Sequence, residues 1–358
     1  MRRGLVSWSR EELPQAALDA RVERLQQAMR AQGLAAVLAY GSFAQPAVVQ
    51  WLSNFLPYWG DAMLAVFPEG RPVLLTALTR RVHPWIQAVS HTGEVVTAPR
   101  LGVSVAALLD ARVAPGERIG VIGRGRLPWR VAMPLADSAH GPALVDASEL
   151  FSGVRQPADD AELGLAARAA AIAGSALRAI PSHAASTSAV TAAVEAAARL
   201  AGAEEVLQRV APDLAVQAVP RRIEGSEWLG QRYAVDLSLA YKGVWVRAAR
   251  CVSREPSPVS WQRARHWFEA TAAGLQAASA TPVLDNAPGD VRGWTLEACV
   301  GAHALECVAS LPTGCLHPLP AGALAMFSVE LRLDDGPWRA SVPLVFGQPG
   351  TPARLLTL

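Results

Sequence analysis

Two stretches of the chain combine acidic side chains with strand-like alternation and a tight turn. In the first, segments 233–239 and 244–249 flank a turn centred on Tyr241 and Lys242. If residue 240 pairs with residue 243, Asp236 lies directly opposite Arg247, with Cβ atoms about 5 Å apart. Because a guanidinium stays protonated and can donate to both carboxylate oxygens, we expect these two residues to form a bidentate ion pair.

The second stretch carries another carboxylate and follows a histidine. Segment 327–333 alternates apolar and polar residues up to the turn 334–337, and the chain returns through 338–346. This hairpin predicts that Glu330 faces the neighbourhood of Ala340. Upstream, His303 lies near the end of a helix or the start of a strand, and imidazole transfers protons readily near neutral pH. Asp236, His303 and Glu330 are proton-exchanging side chains of these stretches.

The elements around these hairpins predict a mixed α/β chain, α+β overall, in two domains. Helical spacing over 18–32 precedes apolar runs at 35–40, 62–67 and 72–76, which are typical of an α/β sheet. Segment 152–158 is the best linker candidate, so we predict domains at 1–153 and 154–358. The second domain contains predicted helices over 159–180, 187–201 and 260–279 before and between the hairpins.

Composition narrows the function classes. The chain has 358 residues and 33 basic against 31 acidic side chains, a net charge of +2, so no strong basic face for nucleic acid is expected. No apolar window is long enough for a membrane span. Trp8, Glu11 and Glu12 stand where a signal peptide would be apolar, so we expect none and predict a cytoplasmic protein.

The motifs taken together resemble the pita-bread family of creatinase, prolidase, aminopeptidase P and methionine aminopeptidase. This resemblance covers essentially the whole chain and implies an N-terminal creatinase-type α/β domain followed by a pita-bread catalytic domain. It is carried by the following segments: 21–25, 33–38, 51–55, 155–176, 235–237 with 241–243, and 327–330.

The resemblance also implies a site of two divalent metals on two aspartates, one histidine and two glutamates. Asp236, His303 and Glu330 match three of these positions, so the resemblance implies that they are the catalytic candidates, with His317 as a weaker rival for the histidine. The second aspartate is expected where this chain has Arg247. The last glutamate is expected near Ala340, but residues 336–358 contain no acid, so this ligand is missing too. Two carboxylates and one guanidinium leave a charge of −1, which does not call for two divalent cations. We predict a degenerate site with no metal and no cofactor.

Three functions stay open at this point. The first is a metal-independent enzyme acting on a small amino-acid-like, amide-type or amidine-type molecule, as creatinase in this family does without metal. The second is a catalytically dead binding module, because fold does not fix function. The third is a metallopeptidase of the Xaa-Pro type. The resemblance further implies a homodimer.

An aromatic wall and one cation are predicted to bind the ligand. Trp245 lies two residues before Arg247 and so shares its face of the strand. Phe55, Tyr58 and Trp59 lie where N-terminal domains of the family often project towards the partner subunit's site. An apolar, aromatic pocket with one cation suits a small amphipathic anion.

Overall fold

The structure, a computed structural model, describes residues 8–277, 282–301, 304–311, 313–315 and 317–356. Within these residues, contacts divide the chain into two compact units. One comprises the described residues up to Ala161 together with those of 300–304. The other comprises Glu162–Cys299 and the described residues from Leu305 onwards. The domain boundary predicted at residue 153 stays a prediction. Within the predicted linker 152–158, residues up to Arg155 are helical, because Phe151 and Val154 of that helix are buried in the N-terminal core.

The N-terminal unit is a mixed six-stranded sheet between two layers of helices. The strand order is β4-β3-β2-β1-β5-β6, in which the pairs β1–β2 and β2–β3 are antiparallel and the others parallel. Each face of the sheet carries its own apolar core. The strands and helices are β1 Leu34–Gly41, β2 Ala62–Val66, β3 Val73–Thr76, β4 Glu94–Thr97, β5 Arg118–Ile122 and β6 Leu144–Asp146, with α1 Gln15–Ala31, α2 Ala47–Ser53, α3 His83–Val89, α4 Leu101–Arg112, α5 Trp129–Ala136 and α6 Ser148–Arg155.

The second unit is an antiparallel sheet with helices packed against it. The order is β12-β11-β10-β13-β14-β9-β8-β7, and β15 pairs with β14 outside this path. The elements are α7 Asp160–Arg178, α8 Thr187–Leu200, β7 Glu205–Ala211, β8 Arg232–Tyr241, β9 Val244–Ser253, α9 Val259–Ala273, β10 Asp290–Ala298, β11 Glu306–Ser310, β12 Gly314–Cys315, β13 Leu324–Leu333, β14 Gly336–Val345 and β15 Arg354–Leu355.

The β8–β9 hairpin corrects the predicted register. Its two central turn residues are Lys242 and Gly243, with φ values of 46° and 81°. A turn with positive φ at both central residues matches the right-handed twist of the flanking strands. Tyr241 therefore pairs with Val244, and Asp236 lies opposite Ala249 instead of Arg247. The sequence-based register was wrong by two residues, so Asp236 and Arg247 share a face of the sheet but are diagonal neighbours.

The β13–β14 hairpin lies close to the prediction. Leu333 pairs with Gly336 across a two-residue turn, which places Arg339 directly opposite Glu330. Ala340 is one residue further along and lies opposite Val329. The side chain that faces Glu330 across this hairpin is therefore a second guanidinium.

Candidate functional site

One face of the second unit's sheet lines a cavity of about 580 Å³. Cross-strand pairing runs through it in a continuous row, because Asp236 pairs with Ala249, Ala249 with Ser341, and Ser341 with Ser328. Side chains alternate between the two faces of a strand, so every second residue on either side of this row points into the same cavity. The acidic and basic ones at the cavity are Arg209, Asp236, Arg247, Glu297, Glu330 and Arg339.

Arg339 bridges two carboxylates at the centre of the cavity. Its Nη2 donates to Glu330 Oε1 at 2.6 Å, and its Nε lies 2.9 Å from Asp236 Oδ1. The second contact is an ion pair without hydrogen-bond alignment, since Asp236 Oδ1 and Arg339 Nε are both buried with no hydrogen-bond partner. The Arg339 side chain is 15% exposed, which strengthens both interactions relative to surface ion pairs.

The surroundings hold Arg339 in this position through its backbone and its side chain. Its backbone N–H donates to Cys251 Sγ at 3.3 Å, and Nη1 donates to the carbonyl of Ala218 at 3.5 Å. Burial raises the pKa of the Cys251 thiol to about 12, so the thiol stays neutral. The guanidinium is therefore fixed between the two carboxylates.

Arg247 forms a separate ionic group beside this one. Its guanidinium contacts both carboxylate oxygens of Glu297, with Nη2 2.7 Å from Oε1, and its Nη1 donates to Ser238 Oγ at 2.6 Å. Glu297 lies on β10, three strands away from β9 in the sheet order. Arg247 is thus fully engaged, and its charge is neutralised within the cavity.

Arg209 is the remaining cation of the cavity. It pairs directly with Asp236 in the β7–β8 ladder, yet it makes no side-chain hydrogen bond or ion pair with any described residue. The Arg339 guanidinium contacts two carboxylates, the Arg247 guanidinium contacts one, and the Arg209 guanidinium contacts none among the described residues. The six charges sum to zero: the direct contacts leave a net −1 around Arg339, and the +1 of Arg209 acts on Asp236 through space without a contact.

The pKa of Asp236 is raised above its ordinary value. Burial is the largest cause and the charge of Glu330 adds to it, while Arg339 and Arg209 act in the opposite direction. A carboxyl group shifted upwards in this way is better suited to exchange a proton near neutral pH than an exposed aspartate.

These residues do not fit the two metal ions that the family resemblance implies for its active members. A cation placed between Asp236 and Glu330 would have to displace the Arg339 guanidinium. In the part of the chain that the structure describes, no three His, Cys, Asp or Glu side chains are arranged to hold a metal ion. Position 247 carries a second guanidinium where the resemblance expects an aspartate.

The structure brings together part of the predicted site. Asp236, Glu330 and Arg247 line one cavity, whereas the predicted catalytic His303 lies outside the described residues. Trp245 shares the strand face of Arg247, as predicted, but it is not among the residues that line the cavity.

The other predicted ligand-binding aromatics lie in the N-terminal unit. Phe55 is 2% exposed and belongs to the apolar core of that unit, which differs from the predicted ligand-facing position. Tyr58 and Trp59 lie near the surface in edge-to-face contact, and Trp59 is 58% exposed. Their role towards a ligand stays a prediction.

Three charged residues of the cavity were missed from the sequence. Arg339 follows from the Asp334-Asp335 turn once a two-residue loop is assumed. Glu297 belongs to β10, whose alternation of Trp294, Leu296 and Ala298 with polar residues is a strand signal. Arg209 carried no signal of its own, because its importance depends on pairing with Asp236.

Comparison with known proteins defines the class of the fold. Residues 21–156 match the family model of the creatinase/prolidase N-terminal domain. Structures of an X-Pro aminopeptidase and a prolidase match nearly the whole chain, so the similarity extends to the second unit. The chain thus has the pita-bread fold with a creatinase-type N-terminal domain, which confirms the resemblance seen in the sequence.

The similar structures are peptidases at low sequence identity. The X-Pro aminopeptidase from Thermotoga maritima MSB8 superposes with a TM-score of 0.72 at 17% identity, over 94% of this chain and 97% of that one. The prolidase from Pyrococcus horikoshii OT3 gives 0.70 at 14% identity, over 94% and 98%. The Xaa-Pro dipeptidase from Bacillus anthracis gives 0.70 at 16%, over 95% and 97%.

No curated protein matches the chain. Among the described helices, none has the length and apolar character required to span a bilayer.

Proposed function

We propose that this chain is a metal-independent enzyme acting on a C–N bond of a small amino-acid-like molecule. The observation that carries the proposal is the Arg339 guanidinium held between Asp236 and Glu330. A fixed cation there takes over the charge balance that divalent ions give in metal-dependent members, so the acids need no metal to lie close together.

Proton transfer is assigned to the carboxyl groups of this cluster. Asp236 combines a raised pKa with a place in the cavity wall, so it suits the role of taking a proton from water and returning it to the leaving nitrogen. Arg339 orients both carboxylates. Glu330 and His303 remain assigned to catalysis from the sequence, and Arg247 is reassigned from ligand anchor to support of the cavity wall through Glu297.

The proposal is tested by metal analysis and activity together. The purified protein should contain less than 0.1 equivalent of Mn, Co, Zn or Fe, and its turnover of amide and amidine substrates should resist chelators. Asp236→Asn and Glu330→Gln should each lower turnover at least about a hundredfold, the order expected of general acid–base groups. Arg168→Gln, at an exposed helix position of the same unit, is the matched control. Two equivalents of tightly bound metal would refute the proposal, and ligand binding without any turnover would favour a binding module.

A second candidate, an Xaa-Pro metallopeptidase, is favoured by the names of the similar structures. It requires divalent metal ions at the acids of the cavity, and it predicts Mn²⁺-dependent cleavage of Ala-Pro and Leu-Pro dipeptides. The metal-independent enzyme predicts no such dependence. The same preparations would test the predicted homodimer by light scattering.

A further inference from the structure

A second cavity of about 500 Å³ adjoins the charged one. Glu330 and Arg339 line both, so the charged cluster forms the partition between them. Apart from Arg292 and Arg332, the remaining wall is apolar and comes from the loop after β7 and from the end of the β13–β14 hairpin, with Leu214, Val216, Val219, Leu331 and Pro337 among its residues.

The loop that carries these apolar side chains is tied down by hydrogen bonds. The backbone N–H of Leu214 donates to the carbonyl of Arg232, and the Ala215 N–H donates to Asp213 Oδ1 at 2.9 Å. Even so, Val216 is 85% and Val219 is 61% exposed. Ordered apolar side chains that face a cavity and remain open to solvent are suited to cover the apolar part of a ligand.

The charges of the first cavity select the other end of that ligand. The Asp236–Arg339–Glu330 cluster carries −1 and attracts a cationic group, whereas Arg209 carries a +1 that no described side chain contacts and attracts an anionic one. Because Arg209 and Asp236 are directly paired across adjacent strands, their Cβ atoms lie about 5 Å apart. Both side chains therefore start from the same part of the cavity wall, where one ligand bearing an ammonium and a carboxylate can meet both of them.

We infer that the ligand is an α-amino-acid-type zwitterion with a large apolar side chain. Its carboxylate binds Arg209, its ammonium binds Asp236 and Glu330, and its apolar group enters the second cavity against Val216 and Val219. This inference rests on the proposed function, because a metal pair in place of the ion pair would abolish the negative cluster.

Calorimetric titration with four probes tests the assignment group by group. L-phenylalanine has all three features, while L-alanine lacks the large apolar group, 3-phenylpropanoate lacks the ammonium and phenethylamine lacks the carboxylate. L-phenylalanine should bind at least tenfold more tightly than each of the others, because each lost contact removes a buried group or a charge-assisted hydrogen bond. Absence of phenylalanine binding, or equal binding of phenylalanine and alanine, would overturn the inference.

Variants assign each contact to its residue. Arg209→Gln should weaken phenylalanine at least tenfold and leave phenethylamine unchanged, with Arg168→Gln as its control. Val219→Ser should weaken phenylalanine and leave alanine unchanged, with the exposed Val259→Ser as its control. A metal-free protein that binds all four probes equally would refute only the zwitterion, whereas two bound metals would refute the proposed function itself.

Discussion

Replacing Arg339 by methionine tests the central feature of the site. The variant keeps the aliphatic stem of the side chain and removes the charge that Asp236 and Glu330 share. Removing one partner of a buried ion pair costs about 3–5 kcal/mol, whereas exposed pairs contribute about 0.2–1 kcal/mol. The side chains of Arg339, Asp236 and Glu330 are 15%, 27% and 45% exposed, which places this cluster between those limits. We expect Arg339→Met to lower the free energy of unfolding by about 2–3 kcal/mol.

Thermal unfolding followed by circular dichroism measures this loss. For a unit of this size, about 2–3 kcal/mol corresponds to a fall in Tm of roughly 4–12 °C. Arg332→Met is the matched control, because Arg332 is exposed on the same face of the hairpin and forms no described side-chain ion pair. Its Tm should stay within about 1–2 °C of the wild type.

The same variant should gain affinity for metal. Without the guanidinium, Asp236 and Glu330 repel each other, and a divalent cation between them relieves that repulsion. Addition of 1 mM Mn²⁺ should therefore raise the Tm of Arg339→Met and leave the wild type unchanged. The reasoning would be refuted if Mn²⁺ stabilised the wild type as much as the variant, or if Arg339→Met unfolded at the wild-type temperature.

Three further changes test the pKa, the second ion pair and the core. Burial raises the pKa of folded Asp236, so the stability linked to its neutral form is present below the ordinary aspartate pKa and is lost as the pH rises through the raised value. Asp236→Asn should therefore gain stability relative to wild type as the pH rises from 4 to 8 in urea titrations. A relative loss of stability would show that the ion pair with Arg339 outweighs the cost of burial. Arg247→Met should cost about 1–3 kcal/mol because Glu297 is left without its partner, and Arg247→Lys should recover only part of this in the same titrations. Phe268→Ala should cost about 3–5 kcal/mol, because the ring is 5% exposed and stacks on Phe327; a loss below about 1 kcal/mol would place α9 outside the core.

The helices could be predicted from the sequence because their hydrophobic periodicity is strong and the apolar face that it defines is the face buried in the structure. The helices predicted at 159–180 and 187–201 form at Asp160–Arg178 and Thr187–Leu200. The helix predicted to reach residue 279 ends at Ala273, followed by Gly274, a residue that disfavours helix continuation. Hydrophobic periodicity thus defines where an element lies better than where it ends.

The site was harder to predict because it depends on cross-strand register. A two-residue shift in the β8–β9 turn moved Arg247 away from Asp236, and the deciding fact was that Lys242 adopts a left-handed conformation that non-glycine residues rarely take. The cation opposite Glu330 came from β14, and the acid beside Arg247 came from β10. Such partners are distant in sequence and cannot be inferred from the spacing of one hairpin.

The hypothesis that an arginine replaces the metal charge stays a proposal, and the structure moves it from Arg247 to a different arginine. Position 247 was singled out because it replaces an expected acid, yet its charge is cancelled by Glu297. Arg339 lies between the two acids that the resemblance retains and is anchored by Cys251 and Ala218. Restoring a metal site would consequently require replacing Arg339, whatever residue stands at position 247. In wild-type register, Ala249→Asp with Arg339→Glu would add the missing carboxylates directly opposite Asp236 and Glu330, whereas Arg247→Asp alone would leave the Arg339 guanidinium in place and should bind no metal.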